Sequence, residues 1–211
     1  SEPPAPASLK GSTPEYLIER CARVQPGHWV LVHAAAGGVG SIAVEWLKAI
    51  GARVIAHSGS AAKAKLAEGL GADVPLDCPV AELAAKVREA TGGEGVPVIL
   101  DGVGAASWEA SLGALARRGL LVSYGNASGP VPPVNMLELM RHGSVFVTRP
   151  TLADYCPTPE AVRASAARLF DMMTSGKVEV RVATRFAPAD AAEAHRALEA
   201  RRTTGSTVLT V

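Results

Sequence analysis

The sequence predicts an α/β fold, doubly wound, in which a parallel sheet of about six strands carries helices on both faces. Two observations lead there. From residue 29 onward, short apolar runs alternate with amphipathic stretches long enough to be crossover helices, and a glycine-rich turn, HAAAGGVG from His33 to Gly40, joins the first run to the first such stretch. Parallel neighbours need a connection of about a dozen residues or more, and strands buried on both faces read as continuous apolar runs.

Taken in order, the first eight residues, SEPPAPAS, hold three prolines and no periodicity and read as a linker or frayed terminus. A short helix is predicted over 13–23, with Thr13 as its N-cap and Pro14 in its first turn. Gln25-Pro26-Gly27 ends it. Strands are predicted at 29–34, 53–57, 74–76, 96–101, 120–124 and 144–148. Helices over 39–50, 61–70 and 80–90 stop at Gly51, Gly71 and Gly92-Gly93, where a residue free to adopt positive φ closes the last turn. A further helix covers 159–174. The rhythm then changes to strand 178–186, helix 189–201 and strand 207–211. That coda has no place in a six-stranded sheet and reads as a tail built to pack on something else.

Composition narrows the function. With 211 residues, 48% of them hydrophobic, the chain has length for a sizeable core. A formal charge of +1 gives no electrostatic basis for nucleic acid or an anionic membrane as partner, and Arg201-Arg202 is too short a basic run to supply one. No apolar stretch reaches the roughly 18 residues that span a bilayer, and no basic-then-apolar leader pattern opens the chain, so a cytoplasmic location is expected. Cys21, Cys78 and Cys156 are odd in number and widely spaced, which suits free thiols rather than a disulfide framework or a cysteine-rich zinc site.

The glycine turn carries the chemistry. Between a strand and a helix, small residues let the backbone approach a pyrophosphate, while the unpaired N–H groups at the helix start attract its charge. The pattern here is Ala35-x-Gly37-x-x-Gly40, with alanine at the first position of the usual G-x-G-x-x-G. The same glycines would also serve a plain tight turn. If a dinucleotide binds, the end of the second strand selects the cofactor, because a carboxylate there repels a 2′-phosphate. The segment His57-Ser58-Gly59-Ser60-Ala61-Ala62-Lys63 has no carboxylate; its hydroxyls and lysine suit a phosphate, although Lys63 and Lys65 equally fit a solvated helix face.

Six segments then share one likeness. HAAAGGVG, the Lys63 stretch, DGVG at Asp101 to Gly104, SYGNASGPVPP from Ser123 to Pro133, VTRP from Val147 to Pro150 and EARRTTGS from Glu199 to Ser206 together resemble the NADPH-dependent quinone oxidoreductases. These form the zinc-free, zeta-crystallin-like branch of the medium-chain dehydrogenase/reductase superfamily. The similarity runs from about Leu9 to Val211. It implies a Rossmann-type domain over 9–175 that binds NADPH, preceded by the linker 1–8, and a strand-helix-strand extension over 176–211 that joins a GroES-like barrel. That N-terminal catalytic barrel, about a hundred residues, is expected before Leu9 and is absent from this sequence.

Residue by residue, the resemblance implies that Ala36, Gly37, Gly38, Val39 and Gly40 cradle the pyrophosphate and that Ser60 and Lys63 meet the 2′-phosphate. Tyr124, Gly125 and Asn126 lie along the nicotinamide half, Arg201 contacts the cofactor, and Thr13 and Arg149 line the cleft. A tyrosine that commonly contacts the phosphate is replaced here by Cys78, so that contact is lost or supplied otherwise. No metal is expected: zinc-containing relatives place a cysteine ligand about where Lys10 stands, and carry four clustered cysteines that this chain lacks. Nor does any tyrosine precede a lysine by four residues, the acid pair of short-chain reductases.

The expected reaction is hydride transfer from NADPH to a quinone or conjugated enone, weak or absent without the barrel domain, with no general acid assigned. Two other readings stay open: a non-catalytic NADPH-binding or redox-sensing module, and a split reductase completed by another chain. A homodimer is expected through the sheet edge from Ser144 to Thr148, since an apolar edge strand invites pairing.

Overall fold

A computed structural model describes residues 6–200 and 203–210. Helix α1 (Pro6–Glu15) continues as a π-helical segment, Tyr16–Cys21, and is followed by β1 (Trp29–His33), α2 (Gly38–Ala49), β2 (Arg53–His57), α3 (Ala61–Gly69), β3 (Val74–Leu76), α4 (Val80–Ala90), β4 (Val96–Asp101) and α5 (Trp108–Ala114). Then come β5 (Leu115–Ser123), α6 (Met136–Arg141), β6 (Phe146–Thr148), α7 (Leu152–Tyr155), α8 (Pro159–Thr174), β7 (Val182–Phe186), α9 (Ala191–Glu199) and β8 (Ser206–Leu209). The first six strands form one parallel sheet in the order β3-β2-β1-β4-β5-β6. Its direction of growth reverses between β1 and β4, where a doubly wound sheet opens a crevice at its carboxyl edge.

Alternation along the strands divides the core. Val30 and Val32 of β1 face Tyr16, Leu17, Ile18, Trp46 and Leu169, the side covered by α1, α2 and α8. Leu31 faces Leu83, Val87, Leu112 and Leu121 on the side of α4 and α5.

Several boundaries differ from the sequence reading, each for a physical reason. Thr13 is not an N-cap, and Pro14 does not open the helix; both lie inside α1. Proline cannot donate to the carbonyl one turn back, and the wider π coil begins two residues later at Tyr16, a common adjustment to such a gap. The segment stays helical because Tyr16, Leu17 and Ile18 are buried and because Gly11 admits α8: a Cβ there would lie 2.3 Å from Leu169 Cδ2. Strand β5 starts at Leu115, not 120, because Val96 pairs with Leu115 and Val98 with Leu120, so 116–119 bulge out with Arg118 at φ +60°. Strand β6 starts at Phe146, after Gly143 and Ser144 turn at φ +97° and +56°.

The coda is shorter than predicted in each part. Its first strand spans Val182–Phe186, its helix follows a 3-10 turn at Pro188–Asp190 and ends at Glu199, and its last strand is Ser206–Leu209. β7 and β8 pair in parallel as a separate two-stranded sheet. The tail is also fastened to the main body, which the sequence reading did not anticipate. Gly205 N–H donates to the Ala36 carbonyl at 3.1 Å, and Glu45 of α2 accepts from the Glu179 amide and Arg181 Nη1, both at 2.8 Å.

The contact between α2 and the turn after β1 leaves no room for a side chain. A Cβ on Gly40 would sit 2.3 Å from the Ala34 carbonyl oxygen and 2.9 Å from Ala35 Cα, both backbone atoms with no rotamer to give way. Gly40→Ala is expected to lower stability by about 1–3 kcal/mol, the usual range for overpacking. Gly69→Ala, at a helical glycine whose Cβ would meet open space, should be neutral or stabilise by up to about 1 kcal/mol. Urea-unfolding midpoints of the two variants check the contrast.

Candidate cofactor site

At the carboxyl end of β1 the chain turns through Ala34, at φ +50°, with Gly37 N–H bonded to the Ala34 carbonyl at 2.8 Å and Ala35 N–H to the His57 carbonyl at 3.2 Å. Gly37 is the N-cap of α2. The amides of Gly38, Val39 and Gly40 therefore form the first turn of the helix, which has no carbonyl four residues back to bind and presents partial positive charge. This arrangement can hold an anion without any charged side chain.

A cavity lies on either side of the turn. One, of about 500 Å³, is lined by Thr13, Tyr16, Val39, Tyr124, Gly125 and Arg149, with residues 150–152 beside them. The other, of about 410 Å³, is lined by His33, Ala36, Gly37, His57, Ser58 and Lys63, with Val80, Val103, Ala106 and Thr203 among the opposing residues. Positions far apart in sequence thus converge: Thr13, Val39, Tyr124, Gly125 and Arg149 on one cavity, Ala36, Gly37 and Lys63 on the other. Ser60 is exposed and caps α3, accepting the Lys63 amide at 3.4 Å. Asn126 is exposed on the loop after β5, beside the first cavity rather than lining it. Arg201 lies outside the described residues.

The loops after β4 and β5 are packed face to face. A Cβ on Gly125 would lie 2.5 Å from the Gly102 carbonyl oxygen, and one on Gly102 would lie 2.9 Å from the Tyr124 ring. Tyr124 N–H bonds the Asp101 carbonyl and Ser128 N–H the Val103 carbonyl, both at 2.8 Å. Burial, with the Asp101 charge adding to it, raises the Tyr124 hydroxyl pKa, so Tyr124 stays protonated across neutral pH. The Arg149 guanidinium donates to the Ser123 carbonyl at 2.8 Å and is thereby held at the cavity edge.

A buried polar group to which the sequence reading gave no role lies beneath the second cavity. Asp101 ends β4 and is 2% exposed. Its Oδ1 accepts the amides of Val103 at 2.7 Å and Gly104 at 3.2 Å; its Oδ2 accepts the hydroxyls of Ser107 at 2.7 Å and Ser111 at 2.9 Å. The Ser111 hydroxyl oxygen lies 2.9 Å from Nε2 of His33, which is wholly buried, and the His33 and His57 rings meet edge to face at 5.4 Å. Burial lowers the His33 pKa to about 4, against the pull of Asp101 at 3.8 Å and helped by His57. The signal available in sequence was two serines four apart at the start of a helix, following an aspartate at a strand end. Cys78, in place of the expected tyrosine, is half-buried, and its carbonyl accepts from His57 Nε2 at 3.0 Å.

The sequence profile described as zinc-binding dehydrogenase matches residues 38–167, more than half of the chain. The chain belongs to that family. Within it, the chain is 48% identical over 208 residues to a quinone oxidoreductase of Pseudomonas aeruginosa, covering 99% of this chain and 64% of the relative. It is 40% identical over 202 residues to a 2-haloacrylate reductase of a Burkholderia species, covering 95% and 61%. A mycobacterial member solved in complex with NADPH superposes with a TM-score of 0.95 at 49% identity, covering 98% of this chain and 65% of that one. The chain therefore spans a little under two thirds of the length of these relatives. Among the described residues, no three His, Cys, Asp or Glu side chains are grouped so as to hold a metal ion, and no helix is long and apolar enough to cross a membrane.

The buried imidazole makes stability depend on pH. The unfolded ring titrates near 6.5 and the folded one near about 4, so between these values the unfolded chain binds more protons and stability falls as pH drops. His33→Gln has no such proton site. Urea unfolding at pH 7 and pH 4 should show the parent chain losing more stability than the variant, by on the order of 3 kcal/mol. Equal losses would mean that the ring is not held neutral.

Proposed function

We propose that this chain binds NADPH across the crevice between β1 and β4 and presents it to a quinone or conjugated enone. The observation that carries this reading is the pair of cavities on the two sides of one helix N-terminus, which suits a dinucleotide whose pyrophosphate rests on the amides between them. The fit is steric as well as electrostatic, since Gly40 leaves no Cβ between the helix start and the strand end.

In this reading Ala36, Gly37, Gly38, Val39 and Gly40 hold the pyrophosphate. Ser60 and Lys63 meet the 2′-phosphate, and the Ser60 hydroxyl keeps its proton to donate while its oxygen caps α3. Tyr124, Gly125 and Asn126 flank the nicotinamide half, with Thr13 and Arg149 at the substrate side and Arg201 as a further cofactor contact. The reduced nicotinamide, when bound, supplies a hydride. The chain's own part is to orient and shield, and a quinone's reduced oxygens can take protons from water. The relatives' names, a quinone oxidoreductase and a 2-haloacrylate reductase, support an electron-poor conjugated acceptor. Residues 9–175 act as the cofactor domain and 176–211 as the link to a catalytic barrel; the three unpaired thiols fit a reducing, cytoplasmic compartment.

Self-association through β6 belongs to the same proposal. Phe146 is 56% exposed and Val147 37% exposed on an edge strand, with Met136, Leu137 and Met140 of α6 also exposed. A parallel sheet with such an edge can continue into a second copy.

Titrating the 211-residue chain with NADPH, with and without a quinone, separates binding from turnover; no binding at saturating NADPH overturns the reading. Lys63→Glu should weaken NADPH at least tenfold more than NADH, because only the former brings a phosphate to the new carboxylate; equal losses remove the 2′-phosphate assignment. In sedimentation at micromolar concentration the chain should run as a dimer and Phe146→Lys as a monomer, and a monomeric parent chain rules out the edge interface.

A further inference from the structure

Two buried polar atoms on residues that line the smaller cavity have no hydrogen-bond partner among the described residues: His33 Nδ1 and Ser58 Oγ. Proton bookkeeping fixes the chemistry of the first. Asp101 Oδ2 can only accept, so the single Ser111 proton goes to it at 2.9 Å, and Ser111 Oγ must in turn accept from His33 Nε2. The Nε2 position therefore carries the ring hydrogen. Because the buried ring is neutral, Nδ1 is left as a bare lone pair that needs a donor. Ser58, 2% exposed, has a hydroxyl that can donate.

An unmet acceptor and an unmet donor on residues of one cavity call for a ligand that carries the complementary pair. The adenosine of NADPH has such a pair, a 3′-hydroxyl and a 2′-phosphate on adjacent ribose carbons. Its other donor, the base amino group, lies across the purine from the sugar. His33 is the register partner of His57, at the strand ends where the sugar of a dinucleotide lies in this topology.

We propose that His33 Nδ1 accepts the ribose 3′-hydroxyl and Ser58 Oγ donates to the 2′-phosphate, with Ser111 and Asp101 as positioning residues that fix the imidazole tautomer. The proposal rests on the NADPH reading above.

The test reads dissociation constants by calorimetry, on the unaltered chain first. NADP+ should bind about tenfold more tightly than its 3′-deoxy analogue, the usual effect of leaving a buried acceptor unmet. His33→Gln, which keeps a donor toward Ser111 but has no acceptor at the Nδ1 position, should close that gap, and His33→Asn, which restores one, should reopen it. Ser111→Ala should narrow the gap without changing the ratio of NADPH to NADH affinity. Ser58→Ala should weaken NADPH about tenfold and NADH less than twofold. Equal binding of NADP+ and the 3′-deoxy analogue to the unaltered chain overturns the His33 assignment, and equal losses of NADPH and NADH in Ser58→Ala overturn that of Ser58. If the unaltered chain binds no dinucleotide, the NADPH reading itself fails, and this proposal with it.

Discussion

The distance between the first strand and the first crossover helix governs the rest of the molecule. Gly40 brings α2 to within van der Waals contact of the Ala34 and Ala35 backbone, a separation that any side chain at position 40 would prevent. Only at that distance do the amides of residues 38–40 stand over the point where β1 and β4 part. The turn that achieves it holds Ala34 at φ +50°, a conformation that costs an L-residue about 1–2 kcal/mol. That cost is offset locally by the amide bonds from Ala35 to His57 and from Gly37 to Ala34, which tie the turn to the end of β2 and to itself. The geometry of the turn thus depends on backbone rather than on charge.

Asp101 plays the corresponding part at the other side of the crevice. Its carboxylate is buried with no cationic nitrogen among the described residues at hydrogen-bonding distance; two amides and two hydroxyls share its charge instead. His33, 3.8 Å away, could form an ion pair only by accepting a proton inside the core, and the lowering of its pKa shows that desolvation outweighs the attraction. The same carboxylate sets the path of the β4 loop, the start of α5 and, through the Asp101 carbonyl, the position of Tyr124. Walls of both cavities therefore share one anchor.

What sequence could and could not reveal follows from range. Strands 53–57, 74–76 and 96–101 were legible with matching bounds, because each is a short run closed by turn residues; the first and third are apolar and largely buried, while 74–76 lies half-buried at the sheet edge. The start of β5 was not, because Arg117, Arg118 and Gly119 form the bulge and interrupt its apolar pattern. Pro14 suggested a helix start by its usual preference, but burial of Tyr16, Leu17 and Ile18 held the helix together through it. The glycine turn and the Lys63 segment were readable as local motifs. Thr13 and Arg149, 136 positions apart, came from resemblance alone, and the bond between His33 and Ser111, 78 residues apart, left no local trace.

The coda is tied to the same turn. Ala36 uses its carbonyl to bind Gly205, while the amides that follow it face the crevice, so the two polarities of one short segment are divided between the tail and the candidate ligand site. Thr203 lines the same cavity as Lys63 and Ser58, and the parallel bridge from Gly37 to Gly205 places β8 directly after it. Thr203 is thus wall as well as connection. The hydrogen bond at Ala36 makes the smaller cavity and the root of the β7–β8 pair one structure, and displacing either would disturb the other.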